Sequence, residues 1–333
     1  MTTIAITGGT GFIGRHVITA VTGSGRSLRL LMRDPAAGEA LGGEAEIIGG
    51  ALADREALAR LVDGADTVIH CAGAISAAGR SAFAAANIEG TRNLAAAAAA
   101  AGVRRFVHLS SIAAREPALT DYAWSKAESE AALAAELPAA RTVVLRPPAV
   151  YGPGDRATLP LIRQLLQPLV VLPVVADQRV SLIFVRDLAA AVTTVAGAEP
   201  CPTGPFELSD GTTGGYSWPD LVGEAARHSG RSPRILFLPP LLAGLTARAA
   251  MLAARLSGGP PMLTLDKLPE LYHRDWVSRA EGLAAVTAWR PRIAFAEGLA
   301  TTLDWYIRQG WLPRTRSATR KPLGQSQQQG GPR

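Results

Sequence analysis

The sequence predicts an α/β protein with a doubly wound parallel sheet, followed by a smaller, mainly helical C-terminal region. Three observations indicate this fold class: short β-branched runs alternate with alanine-rich stretches, a glycine-rich turn follows the first run, and the alternation weakens after Tyr151. Alternating strand and helix patterns favour parallel strands joined by crossover helices. A chain of 333 residues with 48% hydrophobic content is long enough to bury a substantial core.

Six strands are predicted in the first half of the chain, with helices between most of them; the strands span residues 3–7, 28–32, 46–48, 67–71, 105–109 and 142–145. The alanine run 94–101 predicts a helix, because alanine is the strongest helix former and Gly102 is a typical residue just after a helix end. We assign residues 1–150 to the domain that carries the sheet.

Residues 151–312 form a predicted substrate-binding region, because prolines become frequent there and apolar helical patterns replace the alternation. The β-branched run 180–185 and the helical pattern after it predict that residues 180–200 return to the first domain, so that the two regions interleave. Residues 313–333 are basic and polar, and their low apolar content predicts a disordered tail.

The net charge of +6 is concentrated at the C-terminal end of the sequence. Five cations follow Gly310, which leaves about +1 for the rest of the chain; they are Arg314, Arg316, Arg320, Lys321 and Arg333. The body of the chain therefore lacks the strong basic footprint of a nucleic-acid-binding domain, and we expect no nucleic-acid partner.

Cysteine content and the start of the chain predict a cytoplasmic protein. Cys71 and Cys201 are far apart and have no metal-ligand neighbours, so we expect neither a disulfide nor a metal site. The first predicted strand begins at Thr3, without a charged and then apolar leader before it, so secretion is not expected.

The apolar segment 235–256 is interrupted by Pro239, Pro240, Arg248 and Arg255. A membrane span needs about 20 predominantly apolar residues, so we expect no transmembrane helix. Helices that line a buried pocket are the first interpretation of this segment; a helix that rests on a membrane surface is the alternative.

The glycine-rich turn predicts a bound dinucleotide. Gly8, Gly11 and Gly14 stand between a predicted strand and a predicted helix, with Phe12 and Ile13 opening the helix. The first glycine permits a tight turn, the second lets the backbone approach a pyrophosphate, and the third lets helix and strand pack closely. The phosphates then lie at the helix N-terminus, which favours anions.

The residue about 20 positions after the last glycine selects between NAD and NADP. Arg33 stands at this position, and a planar guanidinium matches a 2′-phosphate, so the sequence favours NADP(H) over NAD(H). Arg15 supports this, because a cation in the first turn of a helix opposes the dipole unless an anion lies nearby. The alternative is that Asp34 binds the ribose hydroxyls and Arg33 is a solvated charge.

A second group of residues predicts acid–base chemistry. Tyr122 and Lys126 are four residues apart on a predicted helix and therefore share a face. An ammonium near a phenol favours the phenolate and lowers the pKa of the phenol. Ser110 and Ser111 follow the strand 105–109, at the edge of the sheet where ligands bind, and either hydroxyl could hold a substrate carbonyl.

Together, the glycine turn, Ser111, Tyr122 and Lys126 resemble the extended short-chain dehydrogenase/reductase superfamily, also called the NAD-dependent epimerase/dehydratase superfamily, whose dinucleotide-binding domain has the Rossmann fold. The residues 68–73, the asparagine Asn87 and the motif 146–153 match as well. The resemblance implies hydride transfer between a nicotinamide cofactor and a carbonyl or secondary alcohol, and a homodimer is the usual assembly.

The resemblance also implies roles for single residues. Tyr122 would be the general acid/base, Lys126 would bind the nicotinamide ribose and tune Tyr122, Ser111 would orient the reacting group, and Asn87 would support Lys126 through water. Further residues implied in cofactor binding are Cys71, Ala72, Gly73 and Pro147, and Asp54 is a weak candidate for an adenine contact.

Within the superfamily, the sequence is most similar to 3β-hydroxysteroid dehydrogenase-like and flavonol-type ketone reductase-like proteins, which favours an apolar substrate. Ile112 and Ala113 follow Ser111 where dehydratases have an acidic pair. A nucleotide-sugar epimerase with tightly bound NAD is the alternative, and its diphosphate would need cations, for which Arg156, Arg163 and Arg179 are candidates. A non-catalytic cofactor-binding subunit is a third possibility, which the intact Ser111, Tyr122 and Lys126 disfavour.

Overall fold

Side chains of the first strand alternate between two buried clusters on opposite sides of a central sheet. The computed structural model describes residues 2–22, 25–36, 45–257, 264–279 and 281–313. In Thr3–Thr7, Ile4 and Ile6 join one cluster and Ala5 joins the other. Because side chains alternate along a strand, a strand that is apolar on both sides is covered on both faces.

The strands in chain order are β1 Thr3–Thr7, β2 Ser27–Met32, β3 Glu46–Gly49, β4 Thr67–His70, β5 Arg105–Leu109, β6 Thr142–Arg146, β7 Ala149–Tyr151, β8 Leu169–Leu172, β9 Arg179–Val180, β10 Leu182–Phe184, β11 Gly204–Glu207, β12 Tyr216–Ser217, β13 Arg234–Phe237 and β14 Asp275–Trp276. The central sheet is parallel, with the order β11-β6-β5-β4-β1-β2-β3. The predicted doubly wound fold is confirmed, and all six predicted strands are present with ends that differ by one residue at most.

The α-helices in chain order are α1 Phe12–Val21, α2 Arg55–Val62, α3 Arg80–Phe83, α4 Gly90–Ala100, α5 Asp121–Glu136, α6 Leu159–Leu165, α7 Val185–Gly197, α8 Trp218–Ser229, α9 Pro240–Ser257, α10 Leu268–Tyr272, α11 Glu281–Val286 and α12 Phe295–Arg308. Apolar residues of α1 and α7 cover one face of the sheet, and those of α2, α4 and α5 cover the other. The predicted alanine-rich helix is α4, and Gly102 follows it with a positive φ of 69°.

The C-terminal region combines helices with three small sheets around a core of its own. Its core includes Tyr151, Trp218 and Tyr306, and Tyr306 is fully buried. The small sheets are β10-β7, β12-β9-β14 and β13-β8. The predicted tail 314–333 lies outside the described residues.

The segment 180–185, which lies in the part of the chain predicted to return to the first domain, is not a strand of the main sheet. Its strand β10 pairs with β7 in a separate two-stranded sheet, and the seventh strand of the main sheet is β11. Helix α7 does return, and its buried face packs against α1. A β-branched run predicts a strand, but its partner depends on tertiary contacts that the run itself does not encode.

Asp187, in the first turn of α7, joins the two regions. Its carboxylate is buried, and Oδ2 accepts hydrogen bonds from the backbone N–H groups of Arg292 (3.0 Å) and Ile293 (2.8 Å). The indole of Trp289 donates to the Asp187 carbonyl at 3.0 Å. The chain that leads into α12 is therefore tied to a helix of the sheet domain.

Candidate active site

Three glycines allow the turn between β1 and α1 to pack tightly. The Gly11 N–H donates to the Gly8 carbonyl at 3.0 Å. Gly8 has a φ of +76°, and a Cβ there would lie 2.5 Å from the Ala72 nitrogen, while a Cβ on Gly14 would lie 2.1 Å from the Gly8 oxygen. Any side chain at Gly8 or Gly14 would push this turn away from its neighbours.

The residues around this turn fit a dinucleotide. Gly11 is the N-cap of α1, no side chain caps the helix, and its first turn has no acidic residue. Its first N–H groups are therefore available to an anion. The turn also lies beside the end of β4, where the strand order of the sheet reverses, and such a point is where open α/β sheets bind dinucleotides.

At the end of β2, the two candidates for ribose recognition differ in their contacts. Arg33 and Asp34 are both exposed. The Asp34 carboxylate accepts a hydrogen bond from the Ala36 N–H at 3.1 Å, so it already supports its own turn. Arg15 is exposed as well, and its Nε donates to the Thr10 carbonyl at 2.9 Å, which holds the guanidinium along the glycine turn.

Three other candidates for cofactor binding also make backbone or capping contacts. Asp54 is the N-cap of α2, and its carboxylate accepts from the Ala57 N–H at 3.0 Å, a use that its sequence position did not indicate. Cys71 follows β4, and its N–H donates to the Thr7 carbonyl at 3.1 Å. Pro147 is buried, and its carbonyl accepts from Ile112 at 2.9 Å, next to the turn that carries Ser111.

Helix α5 presents Tyr122 and Lys126 toward the carboxyl end of β5. Thr120 caps the helix, because its hydroxyl accepts from the Ala123 N–H at 3.0 Å. Tyr122 is partly exposed, whereas Lys126 is buried and its Nζ donates to the Leu109 carbonyl at 2.9 Å. The predicted helix and its shared face are therefore present.

The two serines after β5 occupy different environments. Ser110 is buried, and its hydroxyl donates to Glu130 at 2.5 Å. Glu130 also forms a two-contact ion pair with Arg146, at 2.9 and 2.6 Å. Ser111 is partly exposed, caps the short 3₁₀ helix Ile112–Arg115, and its hydroxyl lowers the pKa of the Tyr122 phenol. Ser110 is thus engaged inside the fold, whereas Ser111 is partly open to solvent.

Asn87 is buried in the π-helical turn Ala84–Glu89. Its Oδ1 accepts from the Ala74 N–H at 2.7 Å, and its Nδ2 donates to the Ala74 carbonyl and to the Ser125 hydroxyl at 3.0 and 2.8 Å. π-turns are frequent at functional sites. Asn87 therefore fixes the chain after Gly73 against α5.

Burial controls the protonation of both α5 residues. It raises the pKa of Tyr122 to about 12; the Ser111 hydroxyl lowers this pKa and the Glu270 carboxylate raises it. Burial lowers the pKa of Lys126 to about 8, and the nearby Glu130 carboxylate opposes this change. Lys126 therefore gives up its proton more readily than an exposed lysine does, while Tyr122 keeps its proton at neutral pH.

Sequence reasoning missed two residues that reach the site from the C-terminal region. Glu270 lies near Thr120, whose hydroxyl donates to its carboxylate at 3.5 Å, and burial raises the pKa of Glu270. Trp276 packs with Tyr122 and Leu119 in one apolar cluster. Both are far from α5 in sequence, so local patterns did not indicate the contact.

His70 and His108 pair as buried residues inside the sheet. Their rings stack with centroids 5.4 Å apart, and His70 bonds the hydroxyls of Thr7 (2.7 Å) and Thr91 (3.0 Å). Burial lowers the pKa of His70 to about 3, and it lowers that of His108 as well. The two rings are neutral parts of the sheet packing and do not face the site.

The family model for the NAD dependent epimerase/dehydratase family matches residues 4–202. The chain belongs to this family. It is therefore an enzyme of a family that depends on a nicotinamide dinucleotide, and the predicted superfamily and enzyme class are confirmed. Among the described residues, no three His, Cys, Asp or Glu side chains group as a metal site would require.

Relatives and solved structures agree with this assignment. The chain is 40% identical over 315 residues to a ceramide reductase of Caulobacter vibrioides, across 93% of this chain and 96% of the relative. It is 31% identical over 179 residues to a 3β-hydroxysteroid dehydrogenase/Δ5→4-isomerase of Mycobacterium tuberculosis, across 46% and 48% of the two chains. The fold is similar to that of MoeE5 in complex with UDP-glucose and NAD, with a TM-score of 0.70, 22% identity, and coverage of 93% and 99%.

Proposed function

We propose that this member of the family reduces a ketone on a long-chain apolar lipid of the ceramide class, with NADPH as the reductant. The observation that carries the proposal is the meeting of Ser111, Tyr122 and Lys126 at the carboxyl end of β5, beside the glycine turn. The reverse reaction, oxidation of the secondary alcohol, uses the same groups.

The roles follow from the protonation states. The bound dinucleotide supplies the hydride. Tyr122, whose pKa is about 12, keeps its proton at neutral pH and can donate it to the carbonyl oxygen as that oxygen becomes negative. The Ser111 hydroxyl orients the carbonyl, and Lys126, whose pKa is about 8, is cationic at neutral pH and can bind the nicotinamide ribose.

The apolar surroundings of Tyr122 support a lipid substrate. Trp276 and Leu119 pack beside the phenol, and Ile75, which follows the segment held by Asn87, is 60% exposed. The relative named ceramide reductase matches this chain over nearly the whole length of both proteins. Its name supports a long-chain lipid as the substrate.

Contacts at the end of β2 support NADP(H). Arg33 is exposed, whereas the Asp34 carboxylate is engaged with Ala36 in its own turn. A guanidinium binds a 2′-phosphate through paired hydrogen bonds. Arg33 is therefore the proposed reader of the 2′-phosphate, with Arg15 contributing positive charge.

The nucleotide-sugar epimerase alternative is weaker because its candidate cations are engaged elsewhere. Arg163 donates to the Trp311 carbonyl at 2.8 Å, Arg179 donates to the carbonyls of Gly214 and Gly215, and Arg156 lies 4.7 Å from the Trp311 ring. A diphosphate would have to compete with these contacts.

The test follows the reduced-nicotinamide absorbance of purified protein with a ceramide-type ketone, a steroid ketone and a nucleotide sugar, and compares NADPH with NADH binding by fluorescence. We expect tighter NADPH binding and turnover of the lipid ketone. Tighter NADH binding would contradict the role of Arg33, and NAD released on denaturation, detected by mass spectrometry, would favour the epimerase.

The Tyr122→Phe variant tests the mechanism separately. We expect kcat to fall by about 100-fold or more, the usual contribution of a general acid, with NADPH affinity unchanged. Undiminished turnover in this variant would refute the assignment of Tyr122.

A further inference from the structure

Helix α9 exposes several leucines and buries two of its alanines. Ala243 and Ala247 are fully buried, while Leu241, Leu245 and Leu252 are 77%, 52% and 60% exposed. A helix of a globular protein normally turns its apolar stripe toward the core. In α9 this arrangement is inverted, so packing within the described part of the chain does not explain its leucines.

The exposed residues form a continuous stripe along the helix. Leu241, Leu245, Arg248 and Leu252 follow one another at intervals of four, three and four residues, which places them on one side of α9. Single exposed leucines are common on protein surfaces, but contiguous apolar patches mark interaction sites.

The neighbouring strand β13 adds to this surface. Leu236 is 49% exposed and stands two residues after the exposed Arg234, so both side chains lie on the same face of β13. Only Leu238 and Pro239 separate β13 from the start of α9. We call this surface the leucine face and define it by Leu236, Leu241, Leu245 and Leu252 with Arg234 and Arg248.

The stretch of sequence that carries the leucine face has charges of one sign. Between Glu224 and Asp266 the sequence contains no Asp or Glu, and it contains five arginines: Arg227, which pairs with Glu224, and Arg231, Arg234, Arg248 and Arg255. Apolar side chains combined with arginines are the features by which a helix lies in the interface of an anionic bilayer. No helix in the described ranges is both long and apolar enough to cross a membrane.

A second copy of the chain is a less suitable partner for this face. A twofold dimer would bring the same patch of each copy together, so that arginines would meet arginines without an acidic partner. An anionic lipid surface complements both the leucines and the arginines.

We propose that the leucine face rests on an anionic lipid bilayer. The face is connected to the candidate site, because α9 packs against α10, and Tyr272 of α10 donates its hydroxyl to the Leu238 carbonyl at 2.5 Å. Glu270 lies on the same short helix α10. Contact with the bilayer would therefore place the open side of the site near membrane lipids.

Binding to vesicles tests this without any substrate or cofactor. The full chain is floated with vesicles of phosphatidylcholine alone and of phosphatidylcholine mixed with phosphatidylglycerol. We expect binding to the mixed vesicles, little binding to the neutral ones, and release in about 1 M salt, where the Debye length is about 3 Å.

Surface variants locate the contact. In Leu241→Ser/Leu245→Ser/Leu252→Ser we expect binding to the mixed vesicles to weaken about tenfold or more, because interfacial binding scales with apolar area. Val286→Ser is the matched control, since Val286 is 57% exposed on α11, outside the leucine face, and it should bind as the wild type does. All these proteins keep the basic C-terminal stretch, so undiminished binding by the triple variant would overturn the proposal.

Light scattering identifies the competing occupant. A wild-type dimer that becomes a monomer in the triple leucine variant, with no vesicle binding by either protein, would assign the leucine face to a second copy and overturn the proposal. Far-ultraviolet circular dichroism confirms that the variants are folded, which we expect because the substituted side chains are exposed.

Discussion

The Nζ atom of Lys126 lies 2.9 Å from the carbonyl oxygen of Leu109, the last residue of the strand that leads to Ser111. This contact holds a buried ammonium at the point where α5 meets the sheet. Burial lowers the pKa of Lys126 to about 8 from its ordinary value of 10.5, so the charged group opposes folding at neutral pH while it serves the site.

Lys126→Met should therefore separate activity from stability. One pKa unit corresponds to about 1.4 kcal/mol, so the buried ammonium costs about 3 kcal/mol at most, and we expect the variant to gain about 1–3 kcal/mol in unfolding free energy at pH 7. Turnover should fall by about 100-fold or more.

The sign of the pH dependence provides the check. Below pH 8 the ammonium is charged in both folded and unfolded protein, and its cost is complete. Between pH 8 and 10.5 only the unfolded state keeps the proton, so wild-type stability rises with pH and the advantage of Lys126→Met shrinks. Urea unfolding at pH 7 and at pH 9.5 measures both values; a variant less stable than wild type at both would contradict this account.

Ser110→Ala and Ser111→Ala form a matched pair. The Ser110 hydroxyl donates to Glu130. In Ser110→Ala, Glu130 would still be paired with Arg146, so we expect the variant to lose about 1 kcal/mol of stability and to keep kcat nearly unchanged. Ser111→Ala should lower kcat by about 10²–10³-fold, as the loss of a donor to a developing oxyanion does. Steady-state kinetics and thermal unfolding measure both variants. A large loss of kcat in Ser110→Ala together with a normal kcat in Ser111→Ala would contradict these roles.

Glu270→Gln should shift the pH profile of alcohol oxidation toward lower pH. Oxidation needs the Tyr122 phenolate, and the Glu270 carboxylate raises the pKa of that phenol. Burial is the larger cause, so we expect the apparent pKa to fall by less than about 1 unit. The pH dependence of kcat/KM measures the shift. Asp266→Asn, which removes a neighbouring exposed carboxylate, is the control and should leave the profile in place.

The buried histidine pair should make the protein sensitive to acid. Burial lowers the pKa of His70 to about 3, and that of His108 is lowered as well, so both stay neutral in the fold while the unfolded chain takes up protons below pH 6.5. Each histidine then removes about 1.4 kcal/mol of stability per pH unit below 6.5. Urea unfolding at pH 7 and pH 5.5 tests this. His70→Asn should lose about half of the slope, and an unchanged slope would count against the pair.

Local patterns predicted the parts of this site that lie close together in sequence. The turn from Gly8 to Gly14 combines a strand, glycines and a helix within a few residues, and Tyr122 and Lys126 share one helix face. The choice between Ser110 and Ser111 needed the structure, because it depends on Glu130, a residue of another element.

Contacts between distant segments could not be predicted in the same way. Glu270 reaches Thr120 across 150 positions of sequence, and neither residue type indicates the other. The run 180–185 predicted a strand, and the strand β10 lies within it. Its pairing with β7 depends on how the C-terminal region packs. Likewise, the bond from Arg163 to the Trp311 carbonyl joins residues 148 positions apart, and the sequence did not indicate it.

The bonds from Asp187 to the backbone of Arg292 and Ile293 have a consequence for anyone who builds chimaeras within this family. A graft that keeps residues 1–200 of this chain and takes the rest from a relative would keep Asp187 and lose its partners Arg292 and Ile293. Unless the incoming segment offers two free N–H groups at the same place, a carboxylate would be stranded in the interior, at a cost of several kcal/mol. Exchange of substrate preference between relatives is therefore easier through single side chains such as Leu119 or Trp276 than by swapping whole regions.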